Sequence, residues 1–386
     1  MEATAERCQM LDKARRVVVK VGSAVLTTPT GLAQDVIDGL AGQISDLMQR
    51  GLTVVLVSSG AVAAGRGVIQ TMAREQGRDI KDMPGRQAAS AIGQSRLMHA
   101  YDQSFSRRGV ITAQILLTKD DFRNQRRFLN ACNTFDTLFS WNVLPVVNEN
   151  DSVVVAELVF GDNDCLSGLL LNLVEADLLV NLTSASAVYT ANPEQDAEAK
   201  RLDTIQDIAS LDLKTLCGGK TTVGSGGMYS KLLAARRSAQ LGVPTLILPG
   251  AEPDILTRAF AGENLGTWVQ ARGKKISRRK FRLAYNTEPA GSVSVDAGAA
   301  KALAAGGKSL LPAGIVATEG TFASGELIRI LTRDGTTLGV GLSNYSAEDI
   351  RRIAGKKCSE IEAILGHTCN EAIHRDNLLL DAALYD

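Results

Sequence analysis

No stretch of 18 consecutive apolar residues occurs in this 386-residue chain, so a membrane-spanning helix is not expected. The first residues, Met1 to Arg16, are mixed and charged and lack the apolar core of a secretory leader. Charge of either sign is not in excess, because Lys+Arg and Asp+Glu number 42 each. That balance removes any overall field toward nucleic acid or a membrane surface, while leaving room for a local patch. The six cysteines, Cys8, Cys132, Cys165, Cys217, Cys358 and Cys369, contain no C-x-x-C pair and are scattered. This excludes a disulfide framework and reads as reduced thiols in a cytoplasmic protein. "GHTCNEAIH" holds His367, Cys369 and His374. Their spacing fits no standard zinc pattern and offers no fourth ligand, so no metal site is expected there. Internal repeats and low-complexity tracts are also missing.

What is present is a globular composition, 45% apolar, at a length that calls for two domains. The first is expected over residues 1–275. Strand-like runs "RRVVVKVG", "TVVLVSSG", "VITAQILL", "VLPVV", "DLLVNLT" and "VPTLILPG" alternate there with helical patterns. One such pattern is Leu32, Val36, Leu40, Ile44 and Leu47. Continuous β-branched runs alternating with helices predict an α/β domain, a mostly parallel open sheet sandwiched by helices. Residues 276–289 continue the basic run "RGKKISRRK" and are expected as a solvated basic linker; a nucleic-acid patch is the minority reading. Short runs such as "GSVSV", "GIVATEG" and "ELIRILT" with Gly-containing turns predict a small β-rich domain over 290–372. Residues 373–386 are then a C-terminal tail.

Ligands of open α/β sheets bind beyond the carboxyl ends of the strands. Lys20 lies inside a buried apolar run, where an ammonium is costly unless an anion meets it. Ser58, Ser59 and Gly60 follow the second strand, and Asn148, Glu149, Asn150 and Asp151 follow "VLPVV". Asp162, Asn163 and Asp164 precede an apolar helix, and "VGSGGMYSK" sets a Gly-rich loop before Lys231. Singly these are weak signals: an Asp before a helix is often only an N-cap, and the Gly-rich loop lacks the P-loop spacing. Together, two lysines, two Gly-rich loops and three aspartates at one sheet edge are what phosphoryl transfer needs.

"VVVKVGSAVL", "VSSGAVAAGR", "AAIGQSRL", "PVVNENDSV", "GDNDCLS" and "GSGGMYSK" together resemble the glutamate 5-kinases of the amino acid kinase family. The likeness runs nearly the whole chain. The segment "SLLPAGIVATEGTFASGELIRI" resembles the PUA domain that many bacterial members carry. The resemblance implies transfer of the γ-phosphate of ATP to the side-chain carboxylate of L-glutamate, the first step of proline biosynthesis, with Mg2+ as cofactor. It implies that Lys20, Asp164 and Lys231 are catalytic and that Ser59, Asp151 and Asn163 bind glutamate. ATP is then held by Lys20, Thr183, Ser184 and the loop Ser225, Gly226, Gly227, Met228, Tyr229, Ser230 and Lys231. Ser184 departs from the family pattern, which commonly has Asp there. The acceptor carboxylate is already ionised at neutral pH, so no general base is expected. Catalysis then rests on positioning and charge neutralisation. A kinase of aspartate or carbamate is disfavoured by Asp151 and Asn163. The alternative of another class is an RNA-binding protein with a degenerate kinase domain, against which Lys20, Asp164 and Lys231 argue. A homo-oligomer, dimer or tetramer, is the family's habit; proline as feedback inhibitor and RNA at the PUA-like domain are left open.

Overall fold

The computed structural model describes residues 2–28, 31–76, 82–153, 163–193, 196–217, 227–271, 275–286, 289–305, 307–366 and 371–380. The chain divides into two compact units, Met1–Lys275 and Ile276–Asp386.

The first unit is built on eight strands: β1 (Arg16–Val21), β2 (Thr53–Ser58), β3 (Thr112–Leu117), β4 (Leu144–Glu149), β5 (Leu178–Thr183), β6 (Thr204–Ile205), β7 (Thr245–Pro249) and β8 (Thr267–Val269). Their order across the sheet is β6-β8-β7-β5-β1-β2-β4-β3. All neighbours pair in parallel except β7 with β8. The mostly parallel sheet expected from the β-branched runs is therefore present. The short strands β6 and β8 were not among the runs read from the sequence. The main helices are α1 (Gln34–Gln49), α2 (Ala61–Gln76), α3 (Met83–Ser106), α4 (Gln125–Ser140), α5 (Asn163–Leu173), α6 (Met228–Leu241) and α7 (Ile255–Phe260).

Side chains alternate across a strand, which sorts the sheet into two faces. Val17, Val19 and Val21 of β1 join one cluster with Ile37, Leu40 and Ile44 of α1, Leu97, Tyr101 and Phe105 of α3, and Ile255 and Leu256 of α7. Val18 and Lys20 take the opposite face, where α5 packs on β1. Helices α5 and α6 pack on each other, closely enough that a Cβ on Gly168 would lie 3.7 Å from the Ala234 Cα. The α2–α3 crossing is closer still. A Cβ on Gly65 would lie 1.8 Å from the Ala89 carbonyl oxygen, and one on Gly93 1.7 Å from that of Ala61. Only glycine permits this crossing.

The second unit holds β9 (Gly291–Val295), β10 (Ile315–Gly320), β11 (Leu327–Leu331), β12 (Thr337–Leu342) and β13 (Leu378–Leu380), in the order β10-β9-β11-β12-β13. Its core gathers Val293, Val295, Ile328, Ile330, Ile350, Ile353 and Ile361. Two expectations differ from this. Within the expected linker 276–289, Arg278–Asn286 forms a helix, α8. Its basic residues remain exposed or half-buried while Phe281 and Leu283 are buried, Leu283 against Leu327, Val340 and Leu379. The expected tail 373–386 supplies β13, whose Leu378 and Leu379 are buried and which pairs antiparallel with β12. In both segments apolar side chains at i and i+2 or i+1 outweigh the polar surroundings that suggested solvent.

Candidate active site

Lys20 is 2% exposed near the carboxyl end of β1. It reaches the carboxylate of Asp164, which α5 presents in its first turn with no exposed surface at all. Lys231 of α6 is equally buried and donates to the Asp164 Oδ2 over 3.1 Å. Ser230 donates to the same oxygen (2.8 Å) and Asn181 of β5 to Oδ1 (2.9 Å). Asp164 is therefore a hub of four donors from three elements, and the two cations share one counter-charge. Burial pushes its carboxyl upward, but the charges of Lys20 and Lys231 and the bonds from Lys20 and Asn181 overcome this. Its pKa ends below the ordinary carboxylate value.

The sheet register explains the meeting. Lys20 of β1 stands directly beside Asn181 of β5 and Val57 of β2. Both polar side chains share one face and one depth, so Asp164 meets them together. Asn181 was not singled out in the sequence, although a lone polar residue in the buried run "LLVNLT" is the same signal that Lys20 gives. Its Oδ1 is buried without a partner among the described residues.

Lys20 and Lys231 open onto a cleft of about 380 Å³ at the carboxyl ends of β1, β2, β4 and β5. Gly60, at the turn into α2, has φ 104°, a conformation that favours glycine. The turn aims the N-terminus of α2 at the cleft, while α5 starts at Asn163 on another wall. Helix N-termini offer unpaired N–H groups and positive potential to an anion.

The expected glutamate-binding residues also line this cleft. Asn163 Nδ2 donates to the Ser59 hydroxyl (2.9 Å), the Ser58 carbonyl (3.1 Å) and the Asn148 Oδ1 (2.9 Å). Its own Oδ1 is buried without a partner among the described residues. Asn148 in turn donates to Gln94 of α3 (2.8 Å). Asp151 accepts from the Ser90 hydroxyl (2.7 Å). Burial raises the Asp151 pKa, against the opposing effects of the Ser90 bond and the Arg86 charge. Thr183 and Ser184 line the cleft below β5, Thr183 buried and Ser184 exposed. Gly227, Met228, Tyr229 and Ser230 lead into and begin α6. Ser225 and Gly226 lie outside the described residues, as do Asp162, His367 and Cys369. Arg66 and Arg86 line the cleft too and were not anticipated, because an arginine on a helix ordinarily marks only a solvated face.

Among the described residues no group of three His, Cys, Asp or Glu side chains is placed to hold a metal ion. No helix there is long and apolar enough to cross a membrane.

The sequence matches the model of the amino acid kinase family over residues 15–249 and that of the PUA domain over 291–365. It is 59% identical to a glutamate 5-kinase of Oleidesulfovibrio alaskensis, covering 100% of both chains. It is 60% identical to one of Nitratidesulfovibrio vulgaris strain DP4, again covering 100% of both. Among solved structures, the carbamate kinase from Giardia lamblia bound to AMP-PNP shares 18% identity at a TM-score of 0.49, covering 67% of this chain and 99% of its own.

Proposed function

The chain belongs to the glutamate 5-kinases of the amino acid kinase family, and from that premise we propose how its residues carry the reaction. It transfers the γ-phosphoryl group of ATP to the side-chain carboxylate of L-glutamate, giving L-glutamyl 5-phosphate and ADP. This reaction opens proline biosynthesis from glutamate. The kinase reading is preferred to the RNA-binding alternative because the catalytic unit pairs both Lys20 and Lys231 with Asp164.

A carboxylate oxygen of glutamate attacks the γ-phosphorus while the bond from that phosphorus to the β–γ bridging oxygen breaks. At pH 7 this carboxylate is ionised, since its ordinary pKa is about 4.3, so no base is required. The obstacle is repulsion between two anions. We assign Lys20 and Lys231 to neutralising the phosphoryl group in flight, helped by the N–H groups at the helix starts. Asp164 holds both ammonium groups in place and keeps the trio at one net positive charge. Ser59, Asn163 and Asp151 are assigned to glutamate, Asp151 meeting its ammonium group. Thr183, Ser184 and the segment from Ser225 to Lys231 are assigned to the nucleotide. Asp164 is already taken by two lysines, so Mg2+ would enter with the nucleotide rather than on that carboxylate, and would supply charge neutralisation there.

Residues 1–275 are assigned to catalysis. For the second unit, RNA is the ligand to test; for the catalytic unit, proline as inhibitor. Four described cysteines are free thiols, in keeping with a cytoplasmic enzyme, and we expect a homo-oligomer of two or four subunits. The observation that carries the reading is the Lys20–Asp164–Lys231 cluster facing the cleft. Its test is trapping of acyl phosphate as hydroxamate, with ATP, Mg2+ and a panel of amino acids. Product from L-glutamate alone supports it, and product from aspartate or carbamate instead overturns it.

A further inference from the structure

Arg66 and Arg86 are the unexplained charges of the cleft. They line its mouth from α2 and α3. Both are exposed, and neither guanidinium has a hydrogen-bond or ion-pair partner among the described residues. The glycine crossing of Gly65 against Ala89 brings their helices together, since Arg66 follows Gly65 and Arg86 lies three residues before Ala89. Arg86 also precedes Ser90 by four residues, so both share one helix face. Ser90 is the residue that donates to Asp151 over 2.7 Å, and the Arg86 charge acts on Asp151. Yet Arg86 makes no ion pair with it. A guanidinium without a side-chain partner among the described residues therefore lines the cleft together with a half-buried carboxylate, distinct from the Lys20–Lys231 pair.

The substrate assigned above carries three charges, and the proposed machinery meets only two. Its side-chain carboxylate faces the phosphoryl group, and its ammonium faces Asp151. The α-carboxylate is bonded to the same carbon as the ammonium, so its partner must be a neighbour of the partner of the ammonium. We propose that Arg86 binds the α-carboxylate of the amino-acid substrate, forming with Asp151 a clamp for the zwitterionic end. The clamp rests on the glutamate-kinase reading. The planar guanidinium fork suits a carboxylate bidentately, which a lysine cannot match. Arg66 adds positive potential at the same mouth without needing to touch the substrate. With such a clamp the cleft would favour amino acids over simple carboxylic acids, whose single carboxylate would engage the lysine end alone.

The test compares the parent enzyme with Arg86→Met and Arg86→Lys. Glutamate and ATP KM and kcat are measured by hydroxamate trapping. L-glutamic acid α-amide, which keeps the ammonium and the side-chain carboxylate, is titrated as a ligand competing with glutamate. Arg86→Met is expected to raise the glutamate KM roughly 10- to 100-fold, as for a lost charge-assisted pair. Its kcat, ATP KM, melting temperature and α-amide inhibition constant should match the parent, and Arg86→Lys should recover part of the loss. An unchanged glutamate KM overturns the assignment. So does an equal weakening of glutamate and the α-amide, which would mean that Arg86 acts on Asp151, and so does a raised ATP KM, which would put it at the nucleotide. A parent enzyme that makes no product from glutamate overturns the kinase reading and the clamp together. An active parent with an indifferent Arg86→Met overturns the clamp alone.

Discussion

Replacing Asp164 by asparagine should damage both stability and catalysis, and adding nucleotide should repair part of the first. In the native chain two buried ammonium groups face one buried carboxylate, which also accepts from Ser230 and Asn181. The asparagine side chain would keep the shape but remove the negative charge of the cluster and one of its two accepting oxygens. Its amide nitrogen would point a donor at donors. Removing one partner of a buried ion pair costs about 3–5 kcal/mol, because the stranded charges remain desolvated. For a unit of this size each kcal/mol moves the melting point by ~2–4 °C, so a fall of ~6–20 °C is expected for the catalytic unit. Turnover should fall at least ~100-fold, since the lysines lose their fixed direction toward the phosphoryl group. A non-hydrolysable ATP analogue supplies the missing anion. It should therefore raise the melting point of the variant more than that of the parent. The assays are thermal unfolding with and without the analogue, and hydroxamate trapping at saturating substrates. A variant melting within ~2 °C of the parent and turning over within ~3-fold would show that Asp164 does not hold the lysines.

Lys20→Ala and Lys231→Ala should each lower kcat at least ~100-fold in folded protein; near-parental turnover would remove that lysine from the mechanism. The raised pKa of Asp151 predicts a pH limb. Its carboxyl takes up a proton at a higher pH than an ordinary aspartate and then no longer attracts the substrate's ammonium. The kcat/KM for glutamate should therefore fall as pH drops through that raised value, and Asp151→Asn should be weak at every pH and lack the limb. Ser184→Asp should tighten ATP by about 1 kcal/mol if one charge-assisted bond is regained; unchanged ATP and GTP KM values would mean that this side chain does not read the nucleotide. A chain ending at Lys275 should fold and keep measurable kinase activity, because the first unit has its own core; an insoluble product would show that the second unit completes it.

Much of the sheet was legible because parallel strands buried on both faces leave long β-branched runs, as in "RVVVKV" and "TVVLVS". What escaped were strands too short to carry a period. Thr204–Ile205 and Thr267–Val269 have two and three residues, and β13 is a three-residue "LLL" inside a stretch read as a tail. The basic run before the second unit misled for a different reason. Charge dominates its composition, yet the helix is decided by the few side chains it buries, Phe281 and Leu283, which are 0% and 5% exposed. A surface helix needs only one apolar stripe, so its outward face can be as basic as solvent allows.

The site divides along the same line. A buried residue betrays itself when its polarity conflicts with its surroundings, and chains retain such conflicts chiefly where function requires them. Lys20 breaks a valine run, and Asn181 breaks a leucine run in the adjoining strand. A leucine at either position would pack without stranding a polar atom, whereas Asn181 leaves its Oδ1 unpaired among the described residues, at a cost of about 1–3 kcal/mol. Both breaks fall on one face and converge on one carboxylate, so reading them as a pair would have led from the sheet register to Asp164 without any knowledge of the family. Arg66 and Arg86 break nothing. An exposed arginine on a helix is ordinary, and only the glycine-tight crossing of α2 and α3 turns two ordinary residues into a charged rim. Their meaning lies in a geometry that no local pattern encodes.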